Sequence, residues 1–219
     1  MKDGLILTET TAIRLEGGDA IQMPTFYTRF VKRWIDIIAS VAGMILCSPL
    51  MIIIYIAIKL DDGGNAIYSQ ERIGYLGRPF VIYKFRSMIP CAEKGVPRLC
   101  SRNDRRLTRV GTFLRAYHLD ELPQLWNVLK GELSLVGPRP ERRHFIEIVS
   151  RIDLRYERLY RLRPGLFSMA TLYNGYTDTI DKMLLRLEMD LEYLENNSIM
   201  VDMKIIVHTV TAILSGKRF

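Results

Sequence analysis

The longest apolar feature of the chain runs from Ile37 to Ile58, "IIASVAGMILCSPLMIIIYIAI", without a single charge. A helix of that length spans roughly 33 Å, against a bilayer hydrocarbon core of about 30 Å. Beyond it the pattern shortens and changes period. "DDGGNAIYSQERIG" predicts a turn, a short strand and another turn. "RPFVIYKFRSM" is the best strand, with Val81, Tyr83 and Phe85 on one face and Ile82, Lys84 and Arg86 on the other. Residues 90–106, with Pro90, Gly95, Pro97 and a cluster of charges, read as a mobile loop. "RRLTRVGTFLRAYHL" predicts a short helix, and Pro123 fits the first turn of the next, where a missing donor costs nothing. Leu125, Trp126, Val128 and Leu129 give that helix an apolar face, and Gly131 is its C-cap. A charged helix is expected from Ile146 to Leu162. Ile180, Met183, Leu184, Leu187, Leu191 and Leu194 then fall at helical spacing. A last, rather apolar helix covers about Met200 to Leu214, packed on the core or lying on a membrane. The fold class that follows is mainly α with a small β element, α+β.

Hydropathy alone reads the 37–58 run as one transmembrane anchor. It starts too deep in the chain and continues too long for a signal peptide. Two features favour a re-entrant helix-break-helix instead. Ser48-Pro49 stands at its centre, where Pro49 has no N–H and its ring crowds the carbonyl of Ile45. The flanks also disagree with a simple span. Arg29, Lys32 and Arg33 precede the run, while Lys59 is followed by Asp61 and Asp62 and then by an arginine-rich remainder. Both ends would prefer the cytoplasm. The expected organisation is therefore an N-terminal extension over 1–27, a membrane hairpin over 28–60 and a cytoplasmic, membrane-associated domain over 61–219.

Composition sharpens this picture. The chain has 219 residues, 48% hydrophobic and 25% charged, enough for one domain with a true core and too apolar for wholesale disorder. A net charge of +7 points to an anionic partner: nucleic acid, an acidic membrane or a phosphorylated substrate. Cys47, Cys91 and Cys100 lack paired spacing, and with His118, His144 and His208 they form no zinc pattern; free thiols fit a reducing compartment.

Candidate chemistry centres on "HLDELPQ". Asp120 and Glu121 adjoin a helix start, where free N–H groups and the macrodipole favour ionised carboxylates. Neighbours on a helix diverge, so two roles are expected rather than a shared proton. An ionised pair also suits Mg²⁺, which takes one or two carboxylates together with phosphate oxygens. The plain alternative is a capping acid beside a solvent-facing glutamate. Cations weigh against it. Arg115 precedes the pair, Arg139 is clamped between Pro138 and Pro140, Lys84 and Arg86 share a strand face, and Arg163 opens a constrained "RPG" turn. Rigid guanidinium forks suit phosphate. Nucleic acid fits less well: no RNP, KH or zinc-finger pattern occurs, nor a Walker A or GxGxxG sequence.

"KRWIDIIASVAGMILCSPLMIII", "YSQERIG", "YKFRSM", "LDELPQLWNVLKGELSLVGPRPE" and "RLRPG" resemble, in this order, the bacterial sugar transferases, monotopic polyprenyl-phosphate phosphoglycosyl transferases. The similarity runs from about Arg29 to the C-terminus. The resemblance implies transfer of a phosphosugar from a UDP-sugar to undecaprenyl phosphate, with UMP released, as the first membrane step of glycan assembly. It implies Asp120 as nucleophile through an aspartyl-phosphosugar intermediate, with Glu121 assisting at the metal or a proton, and Mg²⁺ as cofactor. Phosphate contacts fall to Arg115 and Arg139, then Lys84 and Arg86, with Arg163 a further candidate. Ser48-Pro49 matches the family's helix-breaking dipeptide. The partners implied are the UDP-sugar, undecaprenyl phosphate and membrane lipids at the cytoplasmic face of the bacterial inner membrane; nucleic acid is not among them, and a homodimer is left open. A non-catalytic membrane scaffold is the rival reading. One departure stands out: after "RPG" the family's W-x-V-x-G stretch is replaced by "LFSMATLYNGYTD", without tryptophan. Lacking a multi-span N-terminal region, the chain resembles the family's compact branch.

Overall fold

The computed structural model describes residues 27–90, 97–99, 104–175 and 177–215. The N-terminal extension up to residue 26, most of the expected 90–106 loop, and Cys91 and Cys100 lie outside them. Among the described residues the protein is mainly helical, with two small two-stranded sheets. In chain order the elements are α1 (Lys32–Asp62), β1 (Ile67–Ile73), β2 (Pro79–Phe85), α2 (Arg109–Ala116), α3 (Gln124–Lys130), β3 (Ser134–Val136), α4 (Arg143–Ile152), β4 (Gly165–Phe167), α5 (Met169–Asn174), α6 (Ile180–Asn196) and α7 (Ile199–Leu214). β1 and β2 form an antiparallel hairpin in which Tyr68 faces Lys84, and β3 pairs with β4 in parallel.

α1 holds the expected dipeptide but stays helical through it. Pro49 offers no N–H to the Ile45 carbonyl, and the Ser48 hydroxyl donates to that carbonyl instead, at 2.8 Å. The break expected at Ser48-Pro49 is thus not a gap in secondary structure. By length and composition α1 could cross a membrane. Yet both of its ends are fastened to the same body. Near the start, Arg33 donates to the carbonyls of Val128 and Leu129 at 2.6 and 2.7 Å, capping the C-terminus of α3. One turn later the buried Asp36 carboxylate accepts from the Leu135 amide at 2.9 Å and the Ser134 hydroxyl at 3.1 Å. Near the far end, Ile54 and Ile58 bury themselves with Phe85 and Leu114. The middle projects: Ile45 and Leu46 are 70% and 81% exposed.

Two further apolar clusters build the body. Leu125, Val128, Leu133, Leu135, Val136, Leu166, Tyr193 and Ile205 join α3, both short strands, α6 and α7. Ile146, Val149, Met183, Leu187, Leu191 and Leu194 join α4 to α6, as the spacing along α6 requires. Two expectations need correction. The helix anticipated from 146 to 162 is two pieces, because Asp153 leaves helical geometry and its carboxylate caps the Arg155 amide at 2.9 Å; a 3₁₀ turn follows over Leu154–Arg161. On α3, Trp126 is half exposed, while Asn127 is wholly buried beside Val128. Asn127 earns that place by clamping β2: its amide donates to the Val81 carbonyl at 2.7 Å, and its oxygen accepts from the Tyr83 amide at 3.1 Å.

Candidate active site

The two acids sit in a 3₁₀ turn, Leu119–Glu121, that enters α3. His118 starts this turn in the left-handed region, φ 54°, a conformation uncommon outside glycine and concentrated at functional sites. At the other end of α3, Gly131 adopts φ 84° and its amide closes on Val128, the C-cap its sequence position implied.

Asp120, Glu121 and His118 open onto a cavity of about 540 Å³. Its wall also carries Lys84, Arg86 and Ser87 from β2 and its continuation, Arg115 from α2, and Arg139, all named above except Ser87. Ile82, Lys84 and Arg86 line the cavity together as one strand face, but Phe85, expected on the other face with Val81 and Tyr83, lines it too. Lys84 Nζ and Arg139 Nη2 converge on one oxygen of Glu121, Oε1, at 2.5 and 2.7 Å. Arg115 Nε donates to the Ser87 hydroxyl at 3.0 Å, made possible by close approach of α2 to the strand end. Gly111 permits that approach, since a Cβ there would lie 1.9 Å from the Ser87 carbonyl oxygen. Arg86 fills the space beside Gly64, where a Cβ would sit 2.0 Å from its Nη1. Arg163 is placed elsewhere. Its Nε donates to the Gly131 carbonyl at 3.1 Å and its guanidinium lies over the Tyr75 ring, so it supports the end of α3 rather than the cavity wall.

The expected helix-end effect does not govern both acids alike. Burial pushes the Asp120 carboxyl up, ahead of the opposing pull of Lys84 and with Glu121 adding to the rise. Burial acts in the same direction on Glu121, but Arg139 and Lys84 outweigh it and hold that carboxyl well below the usual range. Adjacent carboxylates thus acquire different characters, one locked as an anion and the other buried with less compensation.

Two oxygen-donor side chains fit Mg²⁺, which binds through few protein carboxylates and completes its shell with phosphate and water. Glu121 spends only Oε1 on its two cations. No group of three or more potential ligands occurs among the described residues, so a closed all-protein cage is not available there.

Residues that the sequence reading passed over complete the wall. Glu141, buried, is bridged by Arg72 at 2.5 Å through Oε1 and by Arg186 at 3.0 Å through Oε2. Burial would raise its pKa, but Arg72 and Arg186 prevail and bring it to about 2. Asp190, one turn along α6 from Arg186, accepts from the Arg139 amide at 3.4 Å, and burial pushes its carboxyl up to about 7. Arg186, Asp190 and Tyr193 recur at helical spacing beside the leucine stripe, and that polar stripe is the signal that could have found them.

A family model described as "Bacterial sugar transferase" matches residues 27–216. The chain belongs to the bacterial sugar transferase family. It is 39% identical over 194 residues to the UDP-N-acetylgalactosamine-undecaprenyl-phosphate N-acetylgalactosaminephosphotransferase of Aeromonas hydrophila, covering 89% of this chain and 46% of that protein. It is 40% identical over 184 residues to the UDP-glucose:undecaprenyl-phosphate glucose-1-phosphate transferase of Escherichia coli K12, covering 83% and 40%. The exopolysaccharide production protein PSS of Rhizobium leguminosarum bv. phaseoli is 37% identical over 197 residues, 86% of this chain and 98% of that protein. The chain spans less than half the length of the first two.

Proposed function

We propose that this chain is a phosphoglycosyl transferase that moves a phosphosugar from a UDP-sugar to undecaprenyl phosphate and releases UMP. The observation that carries the reading is Asp120, buried on the wall of a cation-lined cavity, beside a Glu121 held by Lys84 and Arg139. A carboxylate oxygen of Asp120 attacks the sugar-bearing phosphorus, the bond from that phosphorus to the bridging oxygen breaks so that UMP leaves, and an aspartyl-phosphosugar acyl phosphate forms. The lipid phosphate then attacks the same phosphorus and restores the carboxylate. Two bulky anions thereby use one cavity in turn. Arg115, Arg139, Lys84 and Arg86 bind and orient the phosphates, and Glu121 fixes Lys84 and Arg139 in place. Asp120 and Glu121 would also hold Mg²⁺, which supplies charge neutralisation at the diphosphate oxygens.

Membrane attachment follows the same logic. Both ends of α1 are fastened to one body while its apolar centre projects, which supports a hairpin dipping into one leaflet over a helix crossing to the far side. The division into a hairpin over 28–60 and a catalytic domain over 61–219 at the cytoplasmic face of the inner membrane is part of this reading. The reaction begins exopolysaccharide or glycan assembly. The names of the relatives carry both glucose and N-acetylgalactosamine, so a panel of UDP-sugars chooses the donor. The full chain in membranes, given Mg²⁺, undecaprenyl phosphate and that panel, should release UMP, and Asp120→Asn should not. Silence with every UDP-sugar would favour a scaffold that retains the fold without the activity.

A further inference from the structure

One buried acid has no part in the reaction above. Asp190 stands on α6 with 1% of its surface exposed. It is not among the residues lining the cavity, yet it reaches one that is. Its Oδ2 accepts from the backbone amide of Arg139 at 3.4 Å, long for a hydrogen bond. Its Oδ1 is buried without a hydrogen-bond partner among the described residues. A carboxylate so placed is a poorly compensated buried charge, which is costly.

The nearest cations are turned towards other acids. Arg186, four residues earlier on α6, sends Nη2 to Glu141 Oε2 at 3.0 Å, and Arg72 from β1 holds the other Glu141 oxygen at 2.5 Å. Arg139 offers Asp190 only its amide, because its guanidinium grips Glu121 at 2.7 Å. Tyr156, from the 3₁₀ turn after α4, is also within reach of the Asp190 charge; burial pushes its hydroxyl up, so it stays neutral. Burial of Asp190 therefore prevails over the pull of Arg186 and Arg139, and its carboxyl rises to about 7. Glu121 and Glu141 differ in kind, since their cations keep both ionised.

The segment that Asp190 touches is stiff. Pro138 and Pro140 restrict it, Ile73 donates to the Glu141 carbonyl at 3.0 Å, and Arg72 donates to the Pro140 carbonyl at 3.3 Å. A pull on the Arg139 amide is therefore passed on to its guanidinium. As a neutral acid, Asp190 leaves the long contact as it stands and the positive charge of Arg139 and Arg186 directed at the cavity. As a carboxylate it draws the amide towards charge-assisted distance, about 2.7–2.9 Å, and offsets that charge from behind.

Resting on the reaction proposed above, we infer that Asp190 is a positioning residue for Arg139, and that its proton sets how strongly the cavity holds the donor diphosphate. The protonated form is the high-affinity form. Donor binding weakens as pH rises through neutrality, and by linkage a bound donor draws a proton onto Asp190. Neither phosphate of a UDP-sugar keeps the second ionisation, near about pH 6, of a phosphate monoester, so that proton belongs to the protein.

The test is calorimetric titration of the full chain in lipid nanodiscs with UDP-glucose and UDP-N-acetylgalactosamine, from about pH 6 to 8. Both chains compared carry Asp120→Asn, which stops loading and removes the other carboxyl that burial raises. One also carries Asp190→Asn, which keeps the side-chain shape and mimics the protonated acid. With Asp190 present, affinity should fall on the order of fivefold across the interval, for about tenfold tighter proton binding in the complex. Repetition in buffers of different ionisation heat should show roughly half a proton taken up near pH 7.5. Asp190→Asn should keep its low-pH affinity throughout and take up no proton. Equal slopes in the two chains overturn this role, as does failure of both sugars to bind at any pH. Absence of proton uptake with Asp190 present overturns it too, and that reading needs no Asp190 variant to fold. The expected profile in a chain whose wild-type form releases no UMP from any UDP-sugar contradicts the reaction and leaves the role of Asp190 standing.

Discussion

Arg139 Nη2 and Glu121 Oε1 meet at 2.7 Å, although 18 residues separate them in the chain. The contact joins the proline-bound turn to the 3₁₀ turn that carries Asp120, and Lys84 from β2 closes on the same oxygen. Three segments thus agree on one position beside the proposed nucleophile. Replacing Arg139 by Lys keeps the charge but loses the fork that can hold Glu121 and a phosphate together. Turnover in Arg139→Lys should fall on the order of 10²-fold, as when one preorganised donor to developing charge is removed, with the melting temperature little changed. Steady-state kinetics beside a thermal melt checks this.

Glu141→Gln should cost stability first. Two bridging guanidiniums would lose their shared carboxylate, a change worth about 3–5 kcal/mol when one partner of a buried pair is removed. The Glu141 pKa is lowered from 4.5 to about 2, so its contribution is complete above pH 4.5 and is lost as pH falls towards 2. The melting-temperature gap between wild type and variant should therefore narrow on acidification through that window. A gap constant down to pH 2 would assign the loss to packing.

Asp190→Asn should behave in the opposite sense. The Asp190 carboxyl is raised from 3.8 to about 7, so the folded protein holds this proton where the unfolded chain releases it. Its charge destabilises increasingly as pH rises from about 4 to about 7. The melting temperature of Asp190→Asn, relative to wild type, should rise across that interval and level off above it.

Gly111→Ala should disturb Arg115 from a distance. The added Cβ would fall 1.9 Å from a backbone oxygen of Ser87, which cannot swing away as a side-chain end can. α2 must shift, at a cost of about 1–3 kcal/mol or more, taking Arg115 from the Ser87 hydroxyl. Weaker binding of the donor together with a lower melting temperature is the expected result.

Much of this site could be read along the chain, for a physical reason. Asp120, Glu121, Arg139 and Lys84 lie in short segments whose prolines and strand alternation restrict side-chain direction, so local pattern carried their convergence. Arg163 shared the same kind of local signal and went to the end of α3, because a turn limits direction without specifying what lies opposite. Glu141 was hidden by its partners, which arrive from β1 and α6 across 69 and 45 residues. On α6 the leucine stripe predicted the core contact, while the adjoining Arg186 and Asp190 are buried by partners distant in the chain. Ser48-Pro49 implied a broken helix; the serine hydroxyl takes the carbonyl that proline leaves, and the helical backbone continues.

The central claim is that Asp120 becomes covalently loaded. Purified full chain should be mixed with Mg²⁺ and its UDP-sugar in the absence of lipid acceptor, quenched, and digested for mass spectrometry. A phosphosugar adduct on the peptide containing Asp120, with UMP released in step and both absent from Asp120→Asn, is the predicted result. UMP released only when undecaprenyl phosphate is present, with no adduct at any time, would contradict it.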